Sequence, residues 1–224
     1  GLSRAAFNDI DRCAEAVRYA RRPRIHTFLS TSPVHMKYKL QKEPEQVLEM
    51  VVAQVTRARN HVEDVEWSSE DGTRTEIDFL CRCVEAAIKF SRAITGRSQI
   101  VAFHGAYHGV WCGAVALTTG DNYRHGWGPS IPGVIHVPYA YCYRCAFGKT
   151  YPECEVQCGA YVDHVLNTPY TGADDVAAVF IESEQGEGGY IAPPPEFLEM
   201  VKAACEKNGC LYVADEIQSG AGRT

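Results

Sequence analysis

The feature of this sequence that most constrains its fold is the alternation of short apolar segments with longer segments of helical periodicity. Helices are predicted to begin at Asn8 or Asp9, where either side chain can act as a cap, and near Pro44. Two more helices are predicted over residues 77–94 and 195–209. Strands are predicted at residues 24–29, 64–68, 99–103, 134–137, 176–182 and 211–215. Strands separated by helices of this length are typical of a mostly parallel α/β fold.

The ends of the predicted strands are the places to look for chemistry. Parallel α/β folds carry their functional side chains at the carboxyl ends of the strands. In this sequence those ends are rich in polar and charged residues: His26 with residues 30–32, then 68–70, 104–108, 182–187 and 215–218. Candidate functional residues are therefore sought in these segments.

Charge and hydropathy argue against two kinds of partner. The 224 residues include 22 Lys+Arg and 28 Asp+Glu, a formal net charge of −6, whereas nucleic-acid-binding proteins usually carry a basic patch. No apolar run approaches the roughly 20 residues that cross a bilayer, and residues 1–8 lack the apolar core of a secretory leader. We therefore expect no nucleic-acid partner, no membrane association and a cytoplasmic location. Since the chain begins at Gly1 and stops after a Gly-rich run, we expect an internal piece of a longer protein.

Four of the ten cysteines are closely spaced, namely Cys142, Cys145, Cys154 and Cys158. Structural zinc sites use four thiolates in two close pairs, and this spacing permits one, although the second pair is wider than the usual C-x2-C. The alternative is a loop of buried or idle thiols, since free cysteines are the default in a reducing compartment. The sequence leaves both interpretations open.

Two long stretches carry a first resemblance to a known family: RIHTFLSTSPVHMKYKL at residues 24–40 and VEWSSEDGTRTE at residues 65–76. Both are similar to 2-isopropylmalate synthase, within the wider family of acyl-CoA-dependent Claisen-condensing enzymes. The resemblance implies that residues 1–84 are a fragment of a (β/α)8 barrel. It also implies a substrate pocket at the positions that match the family, which are His26, Ser68 and Glu70.

The chemistry implied by this resemblance is the condensation of acetyl-CoA with 2-oxoisovalerate in leucine biosynthesis. A histidine and a carboxylate at neighbouring strand ends can move the proton that must leave the acyl methyl group. The alternatives are a satisfied core histidine for His26 and a solvated loop charge for Glu70. The family also binds a divalent metal through an early Arg-Asp-Gly motif and a later His-x-His pair. Neither motif is present, so we expect no metal ligands in this chain.

From about residue 85 the resemblance changes. Three motifs are similar to class III (omega-type) aminotransferases, which use pyridoxal 5'-phosphate: FHGAYHG at 103–109, VFIESEQGEGGY at 179–190 and LYVADEIQSGAGRT at 211–224. The resemblance implies a fragment of the fold-type I transferase large domain over residues 85–224. Because these enzymes are typically dimers, it also implies a homodimer. The Gln-Gly-Glu-Gly-Gly loop is most similar to the 4-aminobutyrate-like branch.

The aminotransferase resemblance assigns roles residue by residue. Asp215 matches the carboxylate that pairs with the pyridine nitrogen of the cofactor and keeps it protonated, and Tyr107 matches the aromatic residue that stacks on the ring. Glu187 matches a carboxylate at the substrate entrance. Three further positions match cofactor-binding residues: His108, Gln218 near the phenolic oxygen, and Glu182 beneath Glu187. The alternatives are a helix N-cap for Asp215, ordinary core for Tyr107 and a solvated loop charge for Glu187.

Two parts of the aminotransferase pattern are missing. The Schiff-base lysine of the family lies beyond the position of Thr224, and none of the seven lysines has the right context. The phosphate-binding turn, which should present free backbone amides at a helix N-terminus, is replaced by the synthase-like DFLCRCV at 78–84. The two resemblances meet within VEAAIK at 84–89, a helical string that both families could carry.

These observations predict a chimeric chain with a synthase-like part, 1–84, and an aminotransferase part, 85–224. The leading hypothesis is a class III aminotransferase fragment that moves an amino group between an ω-amino acid or amine and a 2-oxo acid, and that is inactive as this chain alone. One alternative is a 2-isopropylmalate synthase fragment. Another is a non-catalytic module stabilised by zinc at the four cysteines.

Overall fold

The computed structural model describes residues 1–70, 74–126 and 128–219, with the backbone alone at positions 77 and 81. Parts of two motifs, residues 71–73 and 220–224, therefore lie outside the described residues. The chain divides into two compact units, Gly1–Ala86 and Ala87–Thr224. Each unit is built on a parallel sheet of its own, which confirms the predicted α/β class.

The first unit consists of consecutive strand–helix repeats. Its strands are β1 (Leu2–Arg4), β2 (Arg24–Ser30) and β3 (Asp64–Glu70), which are parallel and lie in the order β1-β2-β3. Helices α1 (Phe7–Val17) and α3 (Pro44–Arg59) connect neighbouring strands, and α2 (Pro33–His35) with a π-helix (Met36–Leu40) lies between β2 and α3. Strands that are neighbours both in sequence and in space are the repeating element of a (β/α)8 barrel.

The alternating side chains of β2 divide the first unit into a helix-packed face and an open face. Ile25 packs in one apolar cluster with residues of α1 and α3, and Leu29 packs in another with residues of α3. His26 and Phe28 point to the other face because successive side chains of a strand alternate. The register pairs His26 with Glu66 and Phe28 with Ser68, so these side chains of β2 and β3 lie beside one another on that second face.

The second unit has four parallel strands in the order β5-β4-β6-β7. They are β4 (Gln99–Phe103), β5 (Val134–Val137), β6 (Val176–Glu182) and β7 (Leu211–Asp215). All seven residues of β6 are buried, as expected for a parallel strand covered on both faces. The helices are α5 (Ala114–Leu117), α6 (Asp121–Arg124), α7 (Gln157–Asn167), α8 (Pro195–Asn208) and a 3-10 turn (Cys142–Arg144).

Three aromatic rings form the centre of the core in the second unit. Phe103 at the end of β4, Tyr139 after β5 and Phe197 on α8 contact one another edge to face, with ring centroids 5.1–5.7 Å apart. Phe197 is fully buried. This cluster fixes the strand ends against α8 and holds the segments that follow β4 and β5.

Helix α4 (Ile77–Thr95) crosses the boundary between the two units. Among the described side chains of this helix, the buried ones follow two helical stripes: Phe79, Cys83 and Ala86, and then Val84, Ile88 and Ser91. Each residue of the second stripe lies five positions after its counterpart in the first. At 100° per residue, this places the two stripes about 140° apart around the helix. The first does not extend beyond Ala86, because Phe90 is half-exposed and Ala93 is exposed.

The predicted strands and long helices are confirmed within a few residues, but several short elements were missed. Strand β1 and helices α2, α5, α6 and α7 were not predicted. The predicted cap of α1 was wrong: the helix begins at Phe7, and Asp9 pairs instead with Arg4 at 2.6 Å, which places its charge favourably in the first turn. In the described part of the chain, no helix is both long and apolar enough to cross a bilayer.

Candidate active site

The carboxyl ends of β4, β6 and β7 bring three chemistry-bearing segments together. These strands are neighbours in the sheet, and Glu182 is paired directly with Asp215 in the register of β6 and β7. The segment after β4 carries Tyr107 and His108. Since the carboxyl ends of parallel strands meet at one sheet edge, the order of the strands creates this site.

A buried histidine contacts the carboxylate at the end of β7. His108 Nδ1 lies 2.8 Å from Asp215 Oδ2, and the exposed fractions of the two side chains are 0% and 8%. The Nε2 atom of His108 is buried and has no hydrogen-bond partner among the described residues. A bare ring nitrogen is cheaper to bury unpaired than an N–H donor, so we assign the proton to Nδ1, which donates to Asp215.

Glu182 joins the segments that follow β4 and β6. Its Oε1 accepts a hydrogen bond from the backbone N–H of Tyr107 (2.9 Å) and its Oε2 accepts one from that of Gly186 (3.1 Å). The side chain is almost fully buried, and burial raises its pKa above the ordinary value, while the Tyr107 amide opposes this rise. Glu182 therefore holds two loops together from inside the protein.

Tyr123 connects two of the predicted residues and was itself missed. Its hydroxyl donates to Glu187 Oε2 at 2.7 Å, and its ring contacts that of Tyr107 with centroids 4.7 Å apart at 64°. The nearby Glu187 raises the pKa of the Tyr123 hydroxyl. No motif indicated this residue, because it lies on the four-residue helix α6 and its role depends on tertiary contacts alone.

Two glutamines fill the space that glycines leave in the loops. The Gln218 side chain packs against Gly186, where a Cβ atom would overlap the Gln218 amide. Gln185 is buried, donates to the carbonyl of His104 at 2.9 Å, and occupies the space beside Gly105 and Gly188. Gln185 was also missed, although it lies within the motif at 179–190. The structure thus brings together all six residues predicted for the aminotransferase part.

The residues predicted from the synthase resemblance form a second polar cluster, in the first unit. His26 Nε2 lies 2.8 Å from Ser68 Oγ across β2 and β3. Glu70 accepts hydrogen bonds from Ser30 and from Lys39, whose Nζ is 2.6 Å from Glu70 Oε2. The Lys39 ammonium, with a smaller effect of Ser30, lowers the pKa of Glu70. Glu70 is therefore held as a carboxylate, and Lys39 is a partner that the motif comparison missed.

The described residues contain no group of three or more His, Cys, Asp or Glu side chains that could hold a metal ion. The nine cysteines whose side chains are described are all free thiols. Cys81 lies outside the described side chains.

Two family models match the sequence, and each covers more than half of it. The class-III aminotransferase model matches residues 81–224, and the HMGL-like model matches residues 1–119. The chain belongs to both families. The two matches overlap over 81–119, a range that contains most of α4 and all of β4. Both resemblances predicted from the motifs are confirmed, and by family the aminotransferase part is a transferase.

Curated relatives of the HMGL-like part are named 2-isopropylmalate synthase. The protein of Bradyrhizobium sp. (strain ORS 278) is 80% identical over 89 residues, which is 40% of this chain and 17% of that protein. The protein of Rhodopseudomonas palustris (strain TIE-1) is 78% identical with the same coverage. The chain thus spans about a sixth of the length of these relatives.

Solved structures similar to the class-III aminotransferase part are transaminases. An amine transaminase from an uncultivated Pseudomonas species, in its PLP-bound form, is 26% identical with a TM-score of 0.58, covering 64% of this chain and 34% of that chain. An (S)-enantioselective omega-transaminase from Thermomicrobium roseum is 30% identical with a TM-score of 0.55, covering 61% and 31%. The predicted fold class is confirmed: a fragment of the barrel fold precedes a fragment of the fold-type I transferase fold.

Proposed function

We propose that the second unit is the ring-binding part of a pyridoxal-phosphate aminotransferase, which acts between an ω-amino acid or amine and a 2-oxo acid. The observation that carries this proposal is the buried His108–Asp215 pair at the junction of β4, β6 and β7. A carboxylate held in this way at a strand end is suited to bind a protonated ring nitrogen.

The residues at this end of the site fit the ring of the cofactor. Asp215 Oδ2 accepts from His108, and Oδ1 accepts from the backbone N–H of Ile217 at 3.2 Å. A carboxylate has about four lone-pair positions, so Asp215 retains acceptor capacity for a further N–H donor. Its low exposure strengthens such a charge-assisted bond, since little water competes.

Pyridoxal 5'-phosphate, when bound, supplies an electron-accepting ring for amino transfer. The chain's own residues would hold and orient the reactants. Asp215 keeps a proton on the ring nitrogen, and His108 fixes the Asp215 carboxylate. Tyr107 offers an aromatic face, and the exposed Glu187, held by Tyr123, offers a negative charge to the ammonium group of the amino donor.

The segment that aligns with the phosphate-binding turn and the lysines of the second unit are poorly suited to bind the cofactor's phosphate or to form a covalent bond with the cofactor. The segment 78–84 lies inside α4, where the amides of Phe79 and Leu80 already bond to the carbonyl of Glu76. Such amides are not free to bind an anion. The lysines of the second unit lie on α4, in the loop before α7, and on α8, where Lys207 pairs with Asp163. We therefore propose weak, non-covalent cofactor binding and no turnover by this chain alone.

Cofactor titration tests the proposal directly. Quenching of protein fluorescence by pyridoxal 5'-phosphate should reveal weak, reversible binding, and Asp215→Asn should weaken it by at least about tenfold, the factor that corresponds to one hydrogen bond of about 1.4 kcal/mol. Asp163→Asn, an exposed carboxylate on α7, is the matched control and should bind as wild type. Equal affinity of wild type and Asp215→Asn would contradict the proposal, as would borohydride fixation of the cofactor to one lysine.

A second candidate function is favoured by the His26–Ser68 contact and the Lys39–Glu70 pair. We propose that the first unit derives from an enzyme that condenses acetyl-CoA with 2-oxoisovalerate, with His26 and Glu70 as the groups that move or hold a proton. Binding of 2-oxoisovalerate, followed by ligand-detected NMR and weakened in His26→Ala and Glu70→Gln, tests this. If no binding is detected while the pyridoxal-phosphate titration succeeds, only the first proposal stands.

We also propose that the two parts join within residues 84–89, inside α4, and that the aminotransferase part forms a homodimer. Amplification of source DNA across these codons tests the join. One continuous product would support it, whereas two separate full-length genes without such a product would overturn it. Light scattering coupled to gel filtration measures the mass of the assembly, and a monomer at all concentrations would contradict the dimer.

A further inference from the structure

On the open face of the first unit, one histidine contacts both a serine and a carboxylate. Ser68 and Glu66 are two positions apart on β3, so their side chains lie on the same face of the sheet. The register places His26 of β2 opposite Glu66, on that face. His26 Nε2 lies 2.8 Å from Ser68 Oγ, and His26 Nδ1 lies 3.4 Å from Glu66 Oε1. The imidazole therefore lies between the hydroxyl and the carboxylate.

The carboxylate of Glu66 determines which nitrogen of His26 carries the proton. A ring nitrogen that faces a carboxylate is the N–H donor, so we assign the proton to Nδ1. The Nε2 atom is then the acceptor for the Ser68 hydroxyl. The contact between Nδ1 and Glu66 is long for a hydrogen bond, as is common in enzymes without substrate. This arrangement has the order of nucleophile, base and orienting acid that serves acyl transfer through serine.

Arg24 holds the far side of the Glu66 carboxylate. Its Nη1 atom lies 3.5 Å from Glu66 Oε2, while its Nε donates to Asp64 at 2.9 Å. Arg24 thus contacts one oxygen of Glu66 and leaves the other, Oε1, directed at His26. A base that is oriented by a held carboxylate keeps the geometry needed to take a proton from its neighbour.

The three side chains are accessible to a small substrate. The exposed fractions of the His26 and Glu66 side chains are 27% and 28%, and Ser68 is half-buried. Phe28 is paired with Ser68 in the register and is also half-buried, so it offers an apolar neighbour for a short acyl chain. Because partial exposure weakens the electrostatic stabilisation of a developing oxyanion, we expect slow acyl transfer that is best detected as a covalent adduct.

We propose that Ser68 is an activated nucleophile that accepts an acyl group from activated esters or thioesters of short acids, with His26 as its general base and Glu66 as the positioning residue. Ser68 Oγ forms a bond to the acyl carbon and gives its proton to His26 Nε2. The bond from the acyl carbon to the leaving sulfur or oxygen then breaks, and the leaving group takes that proton. Water hydrolyses the acyl-serine by the same steps, so the reaction needs no oxidant or reductant. This inference rests on neither proposed function.

Covalent labelling of the full chain tests this activity. An alkyl fluorophosphonate, which reacts with activated serines and releases fluoride, should add once per chain, and peptide mapping by mass spectrometry should place the adduct on Ser68. With p-nitrophenyl acetate, the chain should release about one equivalent of p-nitrophenol in a first phase and should carry an acetyl group on the same serine. Neither probe requires 2-oxoisovalerate or pyridoxal 5'-phosphate, so failure here is distinguishable from failure of the proposed functions.

Single substitutions assign the roles. Ser68→Ala should abolish the adduct. His26→Ala should slow acylation by at least about 100-fold, the lower end of what general base catalysis contributes, and added imidazole should restore part of the rate. Glu66→Gln should slow acylation by at least about tenfold, and Glu66→Asp, which keeps the charge, should recover part of that loss. Ser98→Ala is the control and should react as wild type, since Ser98 donates to Asp175 at 2.9 Å rather than to a histidine.

Three outcomes would overturn the proposal. The first is a wild-type chain that forms no adduct with either probe. The second is an adduct that peptide mapping places on a residue other than Ser68; this measurement needs no variant, so it decides even if Ser68→Ala fails to fold. The third is acylation of His26→Ala at the wild-type rate, which would show that the contact between His26 and Ser68 does not activate the hydroxyl.

Discussion

His108 Nδ1 lies 2.8 Å from Asp215 Oδ2, although the two residues are 107 positions apart in the chain. The contact joins the segment after β4 to the end of β7 across the intervening strand β6. In this structure the contact depends on the non-sequential strand order, which places β6 between β4 and β7. The presence of the His108–Asp215 contact therefore indicates both that the strands of the second unit are in this order and that its candidate active site is formed.

Replacing His108 measures how much its contact with Asp215 contributes to the free energy of unfolding. His108→Phe keeps a ring in the buried position and removes the donor to Asp215. Because the Nε2 atom has no partner to lose, we expect a cost of about 1–3 kcal/mol, which is the penalty for leaving the buried Asp215 acceptor unpaired. Urea unfolding followed by fluorescence measures it. His125→Phe is the exposed control, and a His108 variant as stable as this control would contradict the expectation.

The raised pKa of Glu182 predicts a pH dependence of stability. Folding favours the protonated carboxyl, so its contribution is complete below the unfolded value near 4.5 and is lost as pH rises through the higher folded value. Glu182→Gln carries no proton to lose. The stability of wild type relative to this variant should therefore fall from acidic to neutral pH, as measured by urea unfolding. A difference that does not change with pH would show that burial does not perturb Glu182.

Phe197 should be the most costly single truncation among the three core rings. It is fully buried and contacts both Phe103 and Tyr139, so Phe197→Ala should destabilise the second unit by about 3–5 kcal/mol. The reaction of the buried Cys205 thiol with a thiol reagent should accelerate by more than about 100-fold, since each 1.4 kcal/mol is a factor of ten. Tyr170→Ala, at a fully exposed ring, should leave this rate unchanged. Equal rates in the two variants would refute the central role of Phe197.

The Lys39–Glu70 pair predicts a pH dependence of stability in the first unit that is opposite in sign to the one predicted for Glu182. Lys39 holds the pKa of Glu70 below its ordinary value, so the pair contributes stability above the unfolded value of 4.5 and loses it as pH falls. Lys39→Met should raise the pKa of Glu70, which carboxyl-carbon NMR titration measures. Lys37→Met, on the same π-helix, should leave that titration unchanged. An unaltered Glu70 titration in Lys39→Met would mean that Ser30 alone holds the carboxylate.

The site was predictable where a motif fixes residues close in sequence, and not where tertiary contacts decide. Asp215 ends an apolar strand, and this position identified it as a candidate without a structure. Tyr123 carries no such pattern, because its contacts with Tyr107 and Glu187 come from a helix of four residues.

Strand β1 and helix α7 were not predicted because their sequences lack a clear periodic pattern. Strand β1 is three residues long, too short to show a period of two. The helix α7 begins at Gln157 after a residue in the left-handed region, inside a stretch that the spacing of its cysteines indicated to be a loop.

If the two parts join within α4, as proposed, the regularity of this helix explains why the backbone shows no break there. Each backbone hydrogen bond of a helix joins residues four apart, so only the few residues on either side of a join form backbone hydrogen bonds across it. A join within a strand would change its pairing with other strands, because the paired residues lie far away in sequence. Strand β2, for example, pairs Arg24 with Asp64. The buried side chains of α4 nevertheless form two separate stripes, about 140° apart around the helix. An unbroken helix therefore does not show that its two ends have a common evolutionary origin.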